Sequence, residues 1–196
     1  MALELNTLDH WDESLWQQMK PIYEEAFEHG AKPERILKVM LERRLAYMHA
    51  AYDDGELVAM AFTGLGDSPE QSALIIDYMA IRKDRRGRGE GKLFFELLRD
   101  WAVLTYDIAA IIIEAEAADT PENRERIVFW EKCGFTPTSY VHHYIWIPET
   151  YRALVLPIDP SFAVADDGES LFRQITHFHE QAFRKKWDDS TAQPRS

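Results

Sequence analysis

The feature that most constrains this sequence is a basic, glycine-rich turn set between an apolar strand and an amphipathic helix. The turn, residues 83–92, reads KDRRGRGEGK and contains three glycines and five basic side chains. Residues 72–81 before it are strongly apolar, and residues 93–102 after it place leucine, phenylalanine and tryptophan at helical spacing. Main-chain N–H groups converge at the start of such a helix, and glycine lets a ligand approach them closely. The pattern therefore predicts an anion-binding turn.

The rest of the chain has the opposite charge. Its 196 residues include 22 basic and 34 acidic side chains, for a formal net charge of −12. This balance disfavours nucleic acid and anionic membranes as partners, because both bind a positive face. No apolar run approaches the roughly 18 residues of a membrane span, and the first residues lack the basic and apolar segments of a secretory signal. With Cys133 as the single cysteine, we expect a soluble, cytoplasmic protein with no disulfide and no metal.

Hydrophobic periodicity predicts an α/β (α+β) fold, with strands and helices along residues 3–147. The predicted strands are residues 3–8, 46–52, 56–63, 72–81, 108–115, 135–140 and 142–147, and the predicted helices begin near residues 12, 33, 91 and 120. From Pro148 onward the sequence is punctuated by proline and then becomes helical again. We therefore expect a core domain over residues 1–147, a C-terminal helical extension over residues 148–187 and a disordered tail over residues 188–196.

An apolar stripe marks the helix of this extension. Its members recur at helical spacing and are Leu171, Phe172, Ile175, Phe178, Ala182 and Phe183. A lone helix of this length is marginal in water, so the stripe predicts burial against another surface. That surface is either the core of the same chain, beside the strands around residues 142–147, or a second subunit in a homodimer.

Two familiar phosphate-binding motifs do not fit the turn. The spacing Gly87-x-x-x-Gly91-Lys92 is one residue short of a P-loop and lacks its hydroxyl residue, and Gly87-x-Gly89-x-Gly91 departs from the dinucleotide fingerprint. A third pattern, [QR]-x-x-G-x-[GA], fits residues 86–91, RGRGEG. This hexapeptide resembles the coenzyme A pyrophosphate loop of the GNAT superfamily of N-acetyltransferases.

A second motif downstream resembles the same family. Asn123 followed by residues 127–135, IVFWEKCGF, is similar to the family signature Asn-x6-Tyr-Glu-Lys-x-Gly-Phe. The resemblance covers about residues 3–147 and implies a central mixed, mainly antiparallel sheet with helices on both faces. It also implies transfer of an acetyl group from acetyl-CoA to a primary amine of a small-molecule or peptide acceptor. The alternative is a non-catalytic acyl-CoA-binding regulatory or scaffold protein, which Trp130 at the position of the family's acidic tyrosine supports.

The resemblance also assigns the residues that contact coenzyme A. Main-chain groups of Met79, Ala80 and Ile81 would pair with the pantetheine arm, in a gap between two splayed strands. Asn123 would hydrogen-bond the same arm, or else cap its helix. The residues assigned to the pyrophosphate are Arg86, Gly87, Arg88, Gly89, Glu90, Gly91 and Lys92.

An amine attacks as the free base, so the enzyme must accept its proton, directly or through water. The family resemblance implies that a carboxylate at the end of the strand matching residues 111–116 does so, and Glu114 is the first choice. Glu114 and Glu116 lie on one face of that strand by its period of two, and Asp77 on the partner strand is a third candidate. Trp130 cannot protonate the leaving thiolate, because an indole does not titrate usefully. Water, Tyr140 or Tyr144 would replace that acid, or no dedicated acid is used.

Three further residues are given structural roles. His177 and His179 stand two positions apart on a predicted helix and therefore point in different directions, which disfavours a metal site. Cys133 is predicted to be a buried thiol rather than a nucleophile.

Overall fold

A computed structural model of the protein describes residues 3–28, 30–66, 72–145, 148–160, 162 and 168–183. The predicted tail over residues 188–196 lies outside these residues. The strands of the described part are β1 (Glu4–Leu8), β2 (Ala46–Asp53), β3 (Glu56–Gly66), β4 (Ala73–Ile81), β5 (Ala110–Glu116), β6 (Thr136–His143) and β7 (Thr150–Pro157). Its α-helices are α1 (Glu13–Ala26), α2 (Glu34–Glu42), α3 (Glu90–Thr105), α4 (Pro121–Lys132) and α5 (Gly168–Phe183). None of these described helices is long and apolar enough to cross a membrane.

The strands form one seven-stranded sheet in the order β1-β2-β3-β4-β5-β7-β6. Neighbouring strands run antiparallel except β4 and β5, which are parallel and connected through α3. Helices α1, α2 and α5 pack on one face of the sheet, and α3 and α4 pack on the other. These features confirm the predicted mixed, mainly antiparallel sheet with helices on both faces.

The parallel strands β4 and β5 separate halfway along their length. Their pairing ends at Ile76 and Ile113, whereas β4 continues beside β3 to Ile81 and β5 continues beside β7 to Glu116. At the point of separation Asp77 is an extra residue, because Phe62 of β3 opposes Tyr78 and the next residue of β3 opposes Ile76. Such a bulge bends and twists the strand that contains it. The sheet therefore opens into a gap in its middle.

Local sequence signals explain where the helices begin and end. Asp12 caps α1 by accepting a hydrogen bond from the main-chain N–H of Leu15 at 2.7 Å. Pro21 lies inside α1, which nevertheless continues to Ala26. Thr120 caps α4, whose first residue is Pro121, and Gly134 follows that helix at φ +97°. The aspartate and threonine caps, the proline at the first helical position and the glycine after the helix are residue types preferred at helix ends.

The predicted closing strands were wrong in their bounds. Residues 136–143 form one strand, β6, with a register shift between Pro137 and Val141, rather than ending at residue 140. The second closing strand is β7, which lies in the stretch that we predicted as an extension behind the core. Prolines flank β7, but its centre is fully buried between β5 and β6. Because Pro157 falls at the strand end, its missing N–H does not interrupt the buried pairing.

Helix α5 packs on the core of its own chain. Phe172, Ile175 and Phe178 are almost completely buried against β3, β6, β7 and α2. Phe172 stacks on His142 of β6, with ring centroids 4.5 Å apart. This confirms the first of the two predicted surfaces for the stripe. Phe183, the last member of the stripe, is 61% exposed and does not take part.

Candidate functional site

The edge of β4 beyond Asp77 presents main-chain groups to the gap. Met79, Ala80 and Ile81 lie on this edge, and on the other side they pair with residues 59–61 of β3. The N–H and C=O groups of a strand point alternately to its two sides, so those directed toward β5 lack a strand partner here. The carbonyl of Ile81 accepts a hydrogen bond from Nε of Arg86 at 2.9 Å. The structure thus places the three predicted residues at an open strand edge.

The glycine-rich turn lies at the far end of the same edge. Gly87 and Gly89 have φ of +78° and +84°, a left-handed conformation that other residues adopt at a cost. Gly89 caps α3, and a side chain built on either glycine would meet no atom within 4 Å. The first N–H groups of a helix have no acceptor within that helix. Since Arg88 and Lys92 are exposed beside them, the turn offers open space, main-chain donors and positive charge to an anion.

Three charged residues of the turn, Arg85, Arg86 and Glu90, form ion pairs with other side chains of the protein. The carboxylate of Glu90 is 1% exposed and accepts from Nε of Arg85 at 2.9 and 3.1 Å. Arg85 also pairs with Asp53, so this carboxylate braces the turn and leaves its main-chain N–H for a ligand. Arg86 pairs with Glu25 of α1. Sequence analysis missed Arg85, which stands just before the recognised motif.

Asn123 holds the connection between β5 and α4. Its side-chain N–H donates to the carbonyl of Ala118 at 3.0 Å, and its carbonyl accepts from Nη1 of Arg126 at 3.3 Å. Its main-chain N–H donates to Oγ1 of Thr120 at 3.2 Å. Thr120 rather than Asn123 is therefore the helix cap, and Asn123 is a buried residue that braces the loop. Its predicted contact with pantetheine stays a prediction.

The two candidate carboxylates of β5 lie on the same face, as predicted, but in different surroundings. Glu114 accepts from the hydroxyl of Tyr144 at 2.7 Å and lies 3.3 Å from Nε2 of His179. Glu116 lies 3.6 Å from Arg126, and its side chain is 35% exposed against 20% for Glu114. Glu114 is also the first residue of β5 beyond the parallel pairing. Of the two carboxylates, Glu114 is the less exposed and the one that lies where the gap opens.

Asp77, the third candidate, is already paired with a cation. Nζ of Lys32 contacts both of its carboxylate oxygens, at 2.7 and 2.8 Å. The pair is largely buried, with 11% of the lysine side chain and 3% of the aspartate side chain exposed. Lys32 in turn lies 4.9 Å from the ring centroid of Tyr78. Asp77 is thus held as a neutralised ion pair beside the gap.

Burial alone would raise the pKa of Glu114, because it penalises the charged form. The hydrogen bond and charge of His179, the hydrogen bond of Tyr144 and the charge of Lys32 act in the opposite direction and outweigh burial. The pKa of Glu114 therefore lies below its ordinary value. Burial and the adjacent Glu114 raise the pKa of the Tyr144 hydroxyl, which stays protonated and donates to the carboxylate. Glu114 is therefore ionised at neutral pH.

Comparison with known proteins identifies the arrangement. The model of the acetyltransferase (GNAT) family matches residues 11–135, more than half of the chain, including the turn, β5 and α4. The chain belongs to the GNAT family. Members of this family are N-acetyltransferases that use acetyl-CoA. No curated protein matches the chain.

Solved structures resemble this GNAT chain in fold. The ribosomal-protein-S18-alanine N-acetyltransferase from Escherichia coli is 16% identical with a TM-score of 0.62, covering 83% of this chain and 98% of its own. NAA60 from Arabidopsis thaliana, in complex with acetyl-CoA, is 13% identical with a TM-score of 0.64, covering 80% and 99%. Spermidine N-acetyltransferase from Vibrio cholerae, in complex with CoA and spermine, is 12% identical with a TM-score of 0.63, covering 79% and 95%. At such identities the likeness shows the fold.

The structure also gives the surroundings of the tryptophan, the cysteine and the two tyrosines that were singled out in the sequence. Trp130 is buried in the core, edge to face with Phe95 and Phe135 at 5.8 and 5.2 Å. Burial raises the pKa of Cys133 to about 11, so its thiol is not a nucleophile at neutral pH. Of the two candidate acids, Tyr144 bonds Glu114, and the hydroxyl of Tyr140 lies 3.4 Å from Nδ1 of His142.

His179 is the residue that sequence reasoning missed in this GNAT site. We set it aside with His177 because the two point apart on a helix, and they do: His177 lies 2.8 Å from Gln181, whereas His179 reaches Glu114. Periodicity cannot show which core position a helix side chain meets. Within the described residues no group of three or more potential metal ligands is present.

Proposed function

We propose that this chain transfers an acetyl group from acetyl-CoA to a primary amine by direct attack. The observation that carries the proposal is the gap between β4 and β5, which opens at Asp77 and Glu114 and leads along a free strand edge to the glycine-rich turn. A long ligand with an anionic end fits this arrangement. The pyrophosphate would lie on the N–H groups at the start of α3, and the pantetheine arm would pair with the edge of β4.

In the proposed reaction the amine nitrogen attacks the thioester carbonyl and the carbon–sulfur bond breaks. A main-chain N–H on the free edge of β4 would stabilise the negative charge on the carbonyl oxygen, and we assign this role to Met79. The proton lost by the amine passes to Glu114, directly or through water. We assign the proton donor of the departing thiolate to water, because Trp130 is buried in the core and the hydroxyl of Tyr144 is bonded to Glu114. The hydroxyl of Tyr140 lies 3.4 Å from Nδ1 of His142.

The acceptor class that we propose is a small-molecule or peptide amine. The fold relatives from Escherichia coli and Vibrio cholerae are named for acceptors of these two kinds, a protein alanine and spermidine. The net charge of −12 favours a cationic acceptor over an anionic one. A non-catalytic acyl-CoA-binding protein stays the alternative, but Trp130 no longer supports it, since that side chain serves the core.

Ligand-induced stabilisation tests the coenzyme part of the proposal. A ligand that binds the folded state at a hundredfold excess over its Kd stabilises that state by about 2.7 kcal/mol. Acetyl-CoA should therefore raise the melting temperature, and NAD or ATP at the same concentration should raise it less. If millimolar acetyl-CoA leaves the melting temperature unchanged, the coenzyme assignment is wrong.

A matched pair of variants tests the catalytic part. Free thiol released from acetyl-CoA is measured with a panel of polyamines, amino sugars and peptides. Glu114→Gln should lower kcat by about 10²–10⁴-fold, the usual contribution of a general base. Glu116→Gln, on the same face of β5, should stay close to the wild-type rate. Acetyl-CoA binding without turnover on any amine would favour the non-catalytic alternative.

A further inference from the structure

Helix α5 brings an imidazole to the point where β4 and β5 separate. Nε2 of His179 lies 3.3 Å from Oε1 of Glu114, and Nδ1 lies 3.9 Å from Oδ1 of Asp77. Asp77 and Glu114 are the residues that immediately follow the last parallel pair of the two strands. The imidazole therefore lies across the opening of the gap and faces a carboxylate on each side.

The contact between His179 and Glu114 is largely buried, and one ring nitrogen makes it. The side chain of His179 is 16% exposed, and that of Glu114 is 20% exposed. Nδ1 of His179 is fully buried without a hydrogen-bond partner, so within this contact the bonded nitrogen is Nε2. Tyr144 meanwhile donates to the other oxygen of Glu114 at 2.7 Å. Each carboxylate oxygen is thus met by a different group, one from α5 and one from the end of β6.

We propose that His179 is a positioning residue that fixes the Glu114 carboxylate for proton transfer, which rests on the function proposed above. A carboxylate oxygen has two lone pairs, so the bonds to His179 and Tyr144 leave lone pairs for an incoming amine or water. They also remove the freedom of the side chain to rotate away from the gap. Groups that hold a catalytic side chain within a fraction of an ångström sustain its rate.

This assignment makes the C-terminal helix part of the active site. The match to the family ends at residue 135, whereas His179 lies 44 positions beyond it. Phe178 and Ile175 of α5 are buried in the core. Their packing brings His179, on the same helix, close enough to the sheet to contact Glu114. The titratable or charged groups that act on Glu114 come from several packed elements and are Lys32, His142, Tyr144, Tyr151 and His179. Asp77 lies on the other side of the His179 ring.

The test uses three single variants of the full chain. His179→Ala removes the donor, His179→Gln keeps an N–H close to the position of Nε2, and His177→Gln is the control on the other side of α5. We expect His179→Ala to lower kcat at least tenfold while the KM for acetyl-CoA and the acetyl-CoA-induced rise in melting temperature stay unchanged. His179→Gln should recover most of the rate, and His177→Gln should match the wild type.

The pH profile separates positioning from a purely structural role. His179 is one of the groups that lower the pKa of Glu114, so its removal should move the acidic limb of the kcat profile to higher pH. His179→Gln should move the limb back toward the wild-type position. In a Glu114→Gln background, His179→Ala should lower kcat little further, because the effects of two substitutions that act through the same group are not additive. Additive losses, or an unmoved limb in His179→Ala, would overturn the assignment.

One measurement does not depend on turnover. In nitrogen-labelled protein the imidazole resonances of His179 should shift on Glu114→Gln, while those of His177 should not. If they do not shift, the contact is absent in solution and the inference fails even for an active enzyme. A wild-type chain that acetylates no amine, yet shows the shift, would instead remove the proposed function and leave the contact as structural.

Discussion

The ring of Phe178 fills the space that any side chain on Gly64 would occupy. A Cβ atom on this glycine of β3 would meet the ring directly and would lie 2.7 Å from the carbonyl oxygen of Leu45. The absence of a side chain at Gly64 therefore allows α5 to pack closely on β3 through Phe178. His179 follows Phe178 in α5. The closeness of Phe178 to Gly64 therefore also determines the distance between the His179 imidazole and Glu114.

Gly64→Ala should destabilise the fold and weaken the site together. Overpacking of a well-filled core costs about 1–3 kcal/mol, and here the strain falls on Phe178. Chemical unfolding and the rate of amine acetylation measure the two effects. Gly66→Ala is the control, because its nearest neighbour would be the flexible end of Gln174 at 3.2 Å. Equal losses in the two variants would contradict the role of Gly64.

Gly89→Val should abolish acetyl-CoA binding while the fold persists. Valine resists the left-handed φ of +84°, and its branched side chain would enter the open space in front of the turn. Gly55→Val is a matched control, since Gly55 has a φ of +80° and equally open surroundings in the β2–β3 hairpin. Both variants should lose similar stability. Acetyl-CoA should still raise the melting temperature of Gly55→Val, and a similar rise in Gly89→Val would place the pyrophosphate elsewhere.

His49 should make the stability of the fold fall in acid. The ring is completely buried between Thr7 and Thr63, with hydrogen-bond distances of 2.9 and 2.8 Å, and burial lowers its pKa to about 3. Between pH 6.5 and 3 the unfolded chain therefore binds a proton that the folded chain does not. The free energy of unfolding should fall by up to about 1.4 kcal/mol for each pH unit in this window.

Denaturant unfolding at several pH values isolates this contribution. His49→Gln keeps a polar side chain between the two threonines but does not titrate, so its stability should depend less steeply on pH between 6.5 and 3. The slopes should agree above pH 7, where the imidazole is neutral in both states. Identical slopes in the acidic window would show that His49 is not the group responsible.

Deletion of residues 166–196 should yield an unfolded or aggregating protein. This removes α5, which buries Leu171, Phe172, Ile175 and Phe178. Each such side chain contributes about 1.5–3 kcal/mol on burial, against a total stability of about 5–15 kcal/mol for a typical domain. Deletion of residues 188–196, which the sequence predicts to be disordered, is the control and should leave the melting temperature unchanged. A soluble, equally stable product of the longer deletion would mean that α5 is dispensable.

The elements next to the turn could be predicted because local chemistry determines them. The apolar run of β4, the left-handed glycines and the helical spacing of α3 are each short-range signals, and together they place the anion site. Pro121 and Gly134 likewise mark the ends of α4. The turn motif and the motif from Asn123 to residue 135 then indicate the family. The gap between β4 and β5 was expected from that family resemblance, because hydrophobic periodicity does not show where two strands separate.

Long-range pairing could not be predicted in the same way. The prolines at 148 and 157 look like loop residues, yet they bracket a strand that is buried because β5 and β6 lie on either side of it. Glu114 and Glu116 are equivalent by strand periodicity, but their partners differ. Glu114 contacts Tyr144 and His179, whereas Glu116 lies near Arg126 of α4. His179 reaches Glu114 across 65 positions of sequence, through the docking of a helix.

The strand order also constrains how the protein can be made. β6 is synthesised before β7, yet β7 lies between it and β5. Until residue 157 has left the ribosome, β6 therefore has no sheet neighbour and β5 is paired only with β4. Glu114 lies on the edge of β5 that stays unpaired until β7 is made, and in the folded protein it pairs with Ala153 of β7. Synthesis that stops early therefore leaves an exposed strand edge of the kind that pairs with other chains, rather than a smaller working domain.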